Sequence, residues 1–125
     1  MKIDNDLRYS KEHLWVRKIA DGQYQAGITD YAQDLLGDIV FVEFPEIGSQ
    51  LKADQPCGLV ESVKTGSDLH APVDGVVTQI NTTLQVNPEQ INDAPYKTWI
   101  FAFETDDEAS ISSLLDASAY QALTA

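Results

Sequence analysis

The sequence predicts a mainly β domain over residues 1–125, a small barrel or sandwich of short strands, with a short helix before the central strands and helices at its C-terminus. Three observations predict it. Short runs rich in Val, Ile, Phe and Tyr recur along the centre of the chain, separated by Gly-, Pro- and Asp-marked turns. Helical spacing is confined to one stretch before the central strands and to the polar and C-terminal parts. The 125 residues, 43% of them apolar, suffice for one ordinary core.

In order, "LWVRKI" and "QYQAGI" flank "ADG" and predict an antiparallel hairpin. "TDYAQDLLG" predicts a short helix, with Thr29 or Asp30 as N-cap and Gly37 as a positive-φ terminator. "DIVFVEF" reads as a strand with Ile39 and Phe41 on one face and Val40, Val42 and Phe44 on the other, hence covered on both sides. "PEIGSQLKADQP" is turns around a short extended piece. "CGLVESV", "SDLHAP" and "VVTQI" are strands joined by "KTG" and "VDG" turns. "NTTLQVNPEQIND" is polar, is broken by Pro88, and suits short helical turns. The last strand is expected over Trp99–Glu104. From Asp106 onward Ile111, Leu114, Leu115, Ala119 and Leu123 keep helical spacing, and Asp106 and Asp107 suit the dipole at the start.

Composition excludes several functions. Twenty acidic against eight basic residues give a net charge of −12, which opposes binding to nucleic acid or anionic membranes. No apolar run reaches membrane-spanning length. The start "MKIDNDLRYSKEH" lacks the apolar segment of a secretory signal. Cys57 is the single cysteine, so no internal disulfide forms and a reducing cytoplasm fits. It lies at an apolar strand start with no histidine nearby in sequence, the setting of a buried structural thiol rather than a nucleophile. His13 and His70 lack metal-ligand spacing, and "VKTGSD" lacks the glycine spacing of a phosphate loop. No catalytic constellation and no metal site is expected.

Lys64 stands apart, a lone cation in a hairpin turn of an acidic chain. Gly66, two residues on, suits a turn with Lys64 and Thr65 at its centre and Gly66 in the left-handed position. Val63 then faces Ser67, and Ser62 faces Asp68. A tighter register would oppose Glu61 to Asp68, a like-charge pair. In either register Lys64 projects from a stiff hairpin with Glu61 and Asp68 flanking its base.

"GLVESVKTGSDLHAPVDGVV" resembles the lipoyl-attachment segment of glycine cleavage system H proteins. "YSKEHLWV", "GITDYAQDLLGDIVFVEFPEIG", "NPEQIN" and "LLDASAYQAL" follow in that family's order and spacing. The resemblance implies a barrel-like β-sandwich of the lipoyl/biotinyl-carrier type, with a short helix before the core strands and C-terminal helices, and lipoic acid in amide linkage on Lys64. Glu61, Asp68 and the turn around Gly66 would form the surface read by the lipoate-attaching enzyme. It implies a non-catalytic carrier. The glycine-decarboxylating P-protein would load its arm with an aminomethyl group, the aminomethyltransferase T-protein would unload it, and the dihydrolipoamide dehydrogenase L-protein would reoxidise it.

The chain departs from the family pattern at "HLW", where Leu14 replaces the acid of "HEW". By resemblance Leu14 and Tyr31, the latter where histidine is also common, would lie near the loaded arm. "PYKTW" replaces a glycine-containing segment and is shorter by one residue. Leu14 raises the alternative of an H-like carrier that stores or relays lipoate. A biotin carrier is disfavoured, because Val63 and Thr65 stand where that family has methionines.

Overall fold

Strand boundaries follow the turn residues closely. The structure, a computed structural model, describes residues 2–125. β1 (Arg8–Tyr9) and β2 (Leu14–Ala20) lead into β3 (Gln23–Ile28). Gly22, at φ 72°, supplies the left-handed residue of the β2–β3 turn. Thr29 caps α1 (Asp30–Leu36) by accepting from the Ala32 N–H, and Gly37, at φ 83°, ends it. Then come β4 (Ile39–Glu43), β5 (Gln50–Leu51), β6 (Pro56–Ser62), β7 (Gly66–His70) and β8 (Gly75–Ile80). The polar stretch forms a 3₁₀ turn at Thr82–Gln85 and the single-turn α2 (Gln90–Asp93). β9 (Phe101–Glu104), α3 (Glu108–Ser112) and α4 (Ala117–Thr124) complete the chain.

Two antiparallel sheets result. One has six strands in the order β1-β2-β3-β9-β8-β5, the other three in the order β4-β6-β7. The core lies between them. Leu14, Tyr24, Phe101 and Phe103 from the larger sheet meet Ile39, Val42, Val60 and Leu69 from the smaller. Strand alternation turns Tyr9 and Trp15 to the opposite face of the larger sheet, where Leu7, Ala117 and Tyr120 cover them.

Three expectations are corrected. β4 is not covered on both sides: Val40 and Phe41 are each 51% exposed. A bulge between Ile39 and Phe41 resets the alternation, so Ile39 and Val42 both face the core. β9 begins at Phe101, not Trp99. Ile100 still donates to the Ala26 carbonyl at 2.8 Å, but the Trp99 carbonyl is taken by the Asn81 side chain at 2.8 Å. C-terminal helices form as expected, but the unbroken spacing from Ile111 to Leu123 does not hold, because Leu115 exchanges backbone hydrogen bonds with Tyr9 at 2.8 and 2.9 Å and leaves the helical path. Asp116 then caps α4, whose buried residues are Ala117 and Tyr120, while Ala119 and Leu123 face outward.

Candidate functional site

Lys64 lies in the β6–β7 loop, and the loop is built differently from either expected register. The pairs are Leu59↔Asp68, Val60↔Ser67 and Glu61↔Gly66, and the Ser62 N–H donates to the Thr65 carbonyl at 2.8 Å. Val63 and Lys64 are therefore the two loop residues. Gly66 is a strand residue opposite Glu61, and its φ is not positive; its assigned role in the turn is corrected. The loop is set by the Ser62 hydroxyl. Its Oγ accepts from the Lys64 and Thr65 N–H groups, both at 3.1 Å, and donates to the Thr65 carbonyl at 3.1 Å. A serine that bonds backbone two and three residues on makes a tight turn without glycine. Glu61 and Asp68 are exposed on the outer face of the sheet, diagonal to each other rather than opposed.

The loop is anchored sideways. The Val63 N–H donates to the Asp38 carbonyl at 3.0 Å. Asn92 fixes the segment that receives it: its amide donates to Gln33 Oε1 and the Gly37 carbonyl, each at 2.9 Å, and its Oδ1 accepts from the Ile39 N–H at 2.9 Å. The Lys64 stem lies across Gly37, where a Cβ on any other residue would stand 3.1 Å from Lys64 Cε. Lys64 forms no ion pair among the described residues. Pattern reading missed Asn92; nothing in a polar "NPEQIN" distinguishes a bridging amide from a solvated one.

Beside Leu36, the neighbour of Gly37, an apolar pocket of about 120 Å³ opens between α1, β2–β3 and β6–β7. Leu14, Ile28, Ala32, Leu35, Leu36, Val60 and Leu69 line it, with Glu12 and Asp68 also on its wall. Leu14 is only 1% exposed. The structure thus places Leu14 in the wall of a pocket whose Leu36 precedes Gly37, the residue that the Lys64 stem crosses. Tyr31 is not on the pocket wall; it packs on the His13 ring, centroids 5.0 Å apart. His13, at φ 72°, aims Nδ1 at the Tyr120 hydroxyl at 2.8 Å, and that hydroxyl meets Thr29 Oγ1 at 2.7 Å. Burial pulls the His13 pKa below its ordinary value, against a weaker upward pull from Glu12. Burial pushes the Tyr120 hydroxyl up to about 12. α4 is thereby tied to the start of α1 and to the pocket wall.

The other candidates do not join this site. Cys57 is partly buried against the core, and burial raises its thiol to about 11, far from a nucleophile's range. His70 stands 3.9 Å from Glu12. Among the described residues no group of three His, Cys, Asp or Glu is arranged to hold a metal ion. A larger, open hollow of about 430 Å³, near Asp21, Asp74 and Asp106, lies at the far end of the β2–β3 hairpin and includes no residue of the Lys64 loop.

The whole chain can be set against known proteins. Residues 7–125 match the family model described as "Glycine cleavage H-protein". The glycine cleavage system H protein of Methylobacillus flagellatus is 62% identical over 123 residues, covering 98% of each chain. That of Cronobacter sakazakii is 51% identical over 122 residues, covering 97% of this chain and 95% of its own. A crystal structure of a glycine cleavage system H protein from Mycobacterium marinum superposes with a TM-score of 0.85 at 36% identity, covering 96% of this chain and 97% of that one. With a lysine hairpin locked beside an apolar pocket and agreement along nearly its entire length, this chain belongs to the glycine cleavage H-protein family.

Proposed function

We propose that the protein is the lipoyl carrier of glycine cleavage, with lipoic acid in amide linkage on Lys64. The observation that carries this reading is the locked loop: Ser62, Asp38 and Asn92 fix the backbone that presents Lys64, while its side chain crosses a glycine toward solvent. The site suits the group. Gly37 clears the lysine stem, and the adjacent pocket offers apolar walls to a hydrocarbon chain and dithiolane. When bound, the lipoyl group supplies a strained cyclic disulfide that takes up an aminomethyl group and later returns its electrons.

The chain's own residues do the rest. The hairpin fixes where the arm is rooted, which raises its effective concentration at a docked enzyme. Amide formation removes the Lys64 charge, so the arm can rest on Leu35 and Leu36 without burying an ammonium. Leu14 cannot pair with a cationic cargo, but Glu12 on the same pocket wall can. This leaves the pocket able to hold cargo despite the loss of an acid at position 14. Partners under this reading are the P-, T- and L-proteins and the lipoate-attaching enzyme, in a reducing cytoplasm. Glu61 and Asp68, flanking the loop on the outer sheet face, serve as recognition groups for attachment.

Intact mass of protein from a lipoate-competent host tests the proposal. One lipoyl adduct, lost in Lys64→Arg, is expected, together with glycine–bicarbonate exchange when the loaded protein meets P-protein. An unmodified mass, an adduct that survives Lys64→Arg, or loaded protein inert in exchange would overturn it.

A further inference from the structure

The outer face of the β4–β6–β7 sheet carries an apolar island beside the lysine. Phe41 and Val40 are each 51% exposed and Val63 is 68% exposed. They are contiguous: Phe41 pairs with Glu61 on β6, and Val63 is bonded through its N–H to Asp38, two residues before Val40. Neither α1, α3 nor α4 covers them. Large apolar residues grouped on an otherwise acidic surface mark an interaction site.

The rim has one sign. Exposed on the strands and turns that carry the island are four carboxylates, Asp38, Glu43, Glu61 and Asp68, and one lysine, Lys64. Amide formation at Lys64 would leave no Lys or Arg there. A second copy of this chain would bring carboxylates against carboxylates, so self-association on this face is opposed. Complementarity selects a surface with an apolar socket ringed by Arg and Lys.

We propose that this face, with Phe41 as its anchor, is the docking surface for the enzyme that loads the arm, a protein with such a cationic ring around its active-site mouth. This rests on the carrier reading above. Phe41 sits on the strand next to β6, so a partner seated on it covers the hairpin and receives the arm directly. The apolar contact sets residence, and the acidic rim sets encounter rate.

The test uses lipoyl-loaded full-length protein, with loading verified by intact mass, and purified glycine decarboxylase. Binding is measured by calorimetry and exchange by kinetics, for wild type, Phe41→Ser and Val63→Ser. Ile19→Ser is the control; Ile19 is also exposed but lies at the far end of β2 from Leu14. We expect Kd and KM to rise tenfold or more in the two island variants, with kcat and Tm retained, and Ile19→Ser to match wild type. Wild-type affinity should fall steeply as salt is raised. Island variants that bind as wild type does overturn the proposal. So does a defect confined to lipoate attachment, or wild type that self-associates through Phe41 instead of binding. Wild type that binds but gives no exchange would leave the docking face standing and sink the carrier reading.

Discussion

The six-stranded sheet is covered on both faces around Tyr9 and Trp15, whereas the three-stranded sheet is covered on one. On the larger sheet Tyr24 and Phe103 face the core while Tyr9 and Trp15 are sealed beneath Tyr120 and Ala117. Tyr9 and Tyr120 stack with centroids 4.6 Å apart, and the Trp15 indole donates to the Pro95 carbonyl at 2.9 Å. The smaller sheet commits Val42, Val60 and Leu69 inward and leaves Phe41, Glu61 and Asp68 to solvent. One sheet is the frame; the other offers an open face, held against it by one layer of side chains. The difference teaches where substitutions should cost stability and where they should cost only interaction.

The largest contrast is between Trp15→Ala and Phe41→Ser. Trp15 is fully buried, and its loss should destabilise by about 3–5 kcal/mol, read as a large fall in Tm. Phe41→Ser should stay within about 0.5 kcal/mol of wild type, as surface changes do. Equal losses would break the distinction between frame and surface. Next come changes within the loop. Ser62→Ala removes the hydroxyl that serves three backbone groups and should cost about 1–3 kcal/mol while slowing lipoate attachment. Gly37→Ala forces a side chain into φ 83° and ψ −158° against the lysine stem, and should cost on the order of 1–3 kcal/mol with slower attachment.

Smaller effects sharpen the picture. Gly66→Ala should be within about 0.5 kcal/mol of wild type, since its Cβ would stand 3.5 Å from Leu59 Cδ1, an ordinary contact at ordinary φ. A large loss there would restore the glycine-turn geometry. For His13 the folded pKa lies below the unfolded 6.5, so the unfolded chain binds the proton more readily. Its stabilising contribution is complete above pH 6.5 and is lost as pH falls through the lowered folded value. Tm measured against pH should show this decline, and His13→Asn, which tolerates positive φ, should flatten it. Smallest is Glu12→Gln, which should hasten ammonia loss from loaded carrier severalfold without moving Tm. Ammonia release followed over time checks it.

Much of the frame was legible because its signals are local. The "ADG" turn, the Thr29 cap and Gly37 are read from neighbours in sequence and stand as expected. Errors arose where a distant partner decides. The Ile39–Phe41 bulge depends on pairing with β6. Leu115 leaves the helix because Tyr9, far upstream, takes its backbone groups. At the proposed site, pattern and resemblance single out Lys64 and the neighbouring acids, but the turn geometry they assign to Gly66 is not the one the structure has. Glycine is the commoner turn device, and a serine hydroxyl bonding its own loop gives the same chain reversal from an unremarkable residue. The pocket was out of reach, since its walls come from four separate stretches of chain.

Asn92 has a kinematic consequence. One amide joins residues 33, 37 and 39, and the Val63 N–H is bonded to the carbonyl between the last two. The pivot of the arm proposed on Lys64 would therefore have little play of its own. Whatever volume the arm sweeps is set by rotations about its own single bonds, with the root held still. Different enzymes meeting this protein would find the reactive end starting each search from the same fixed point.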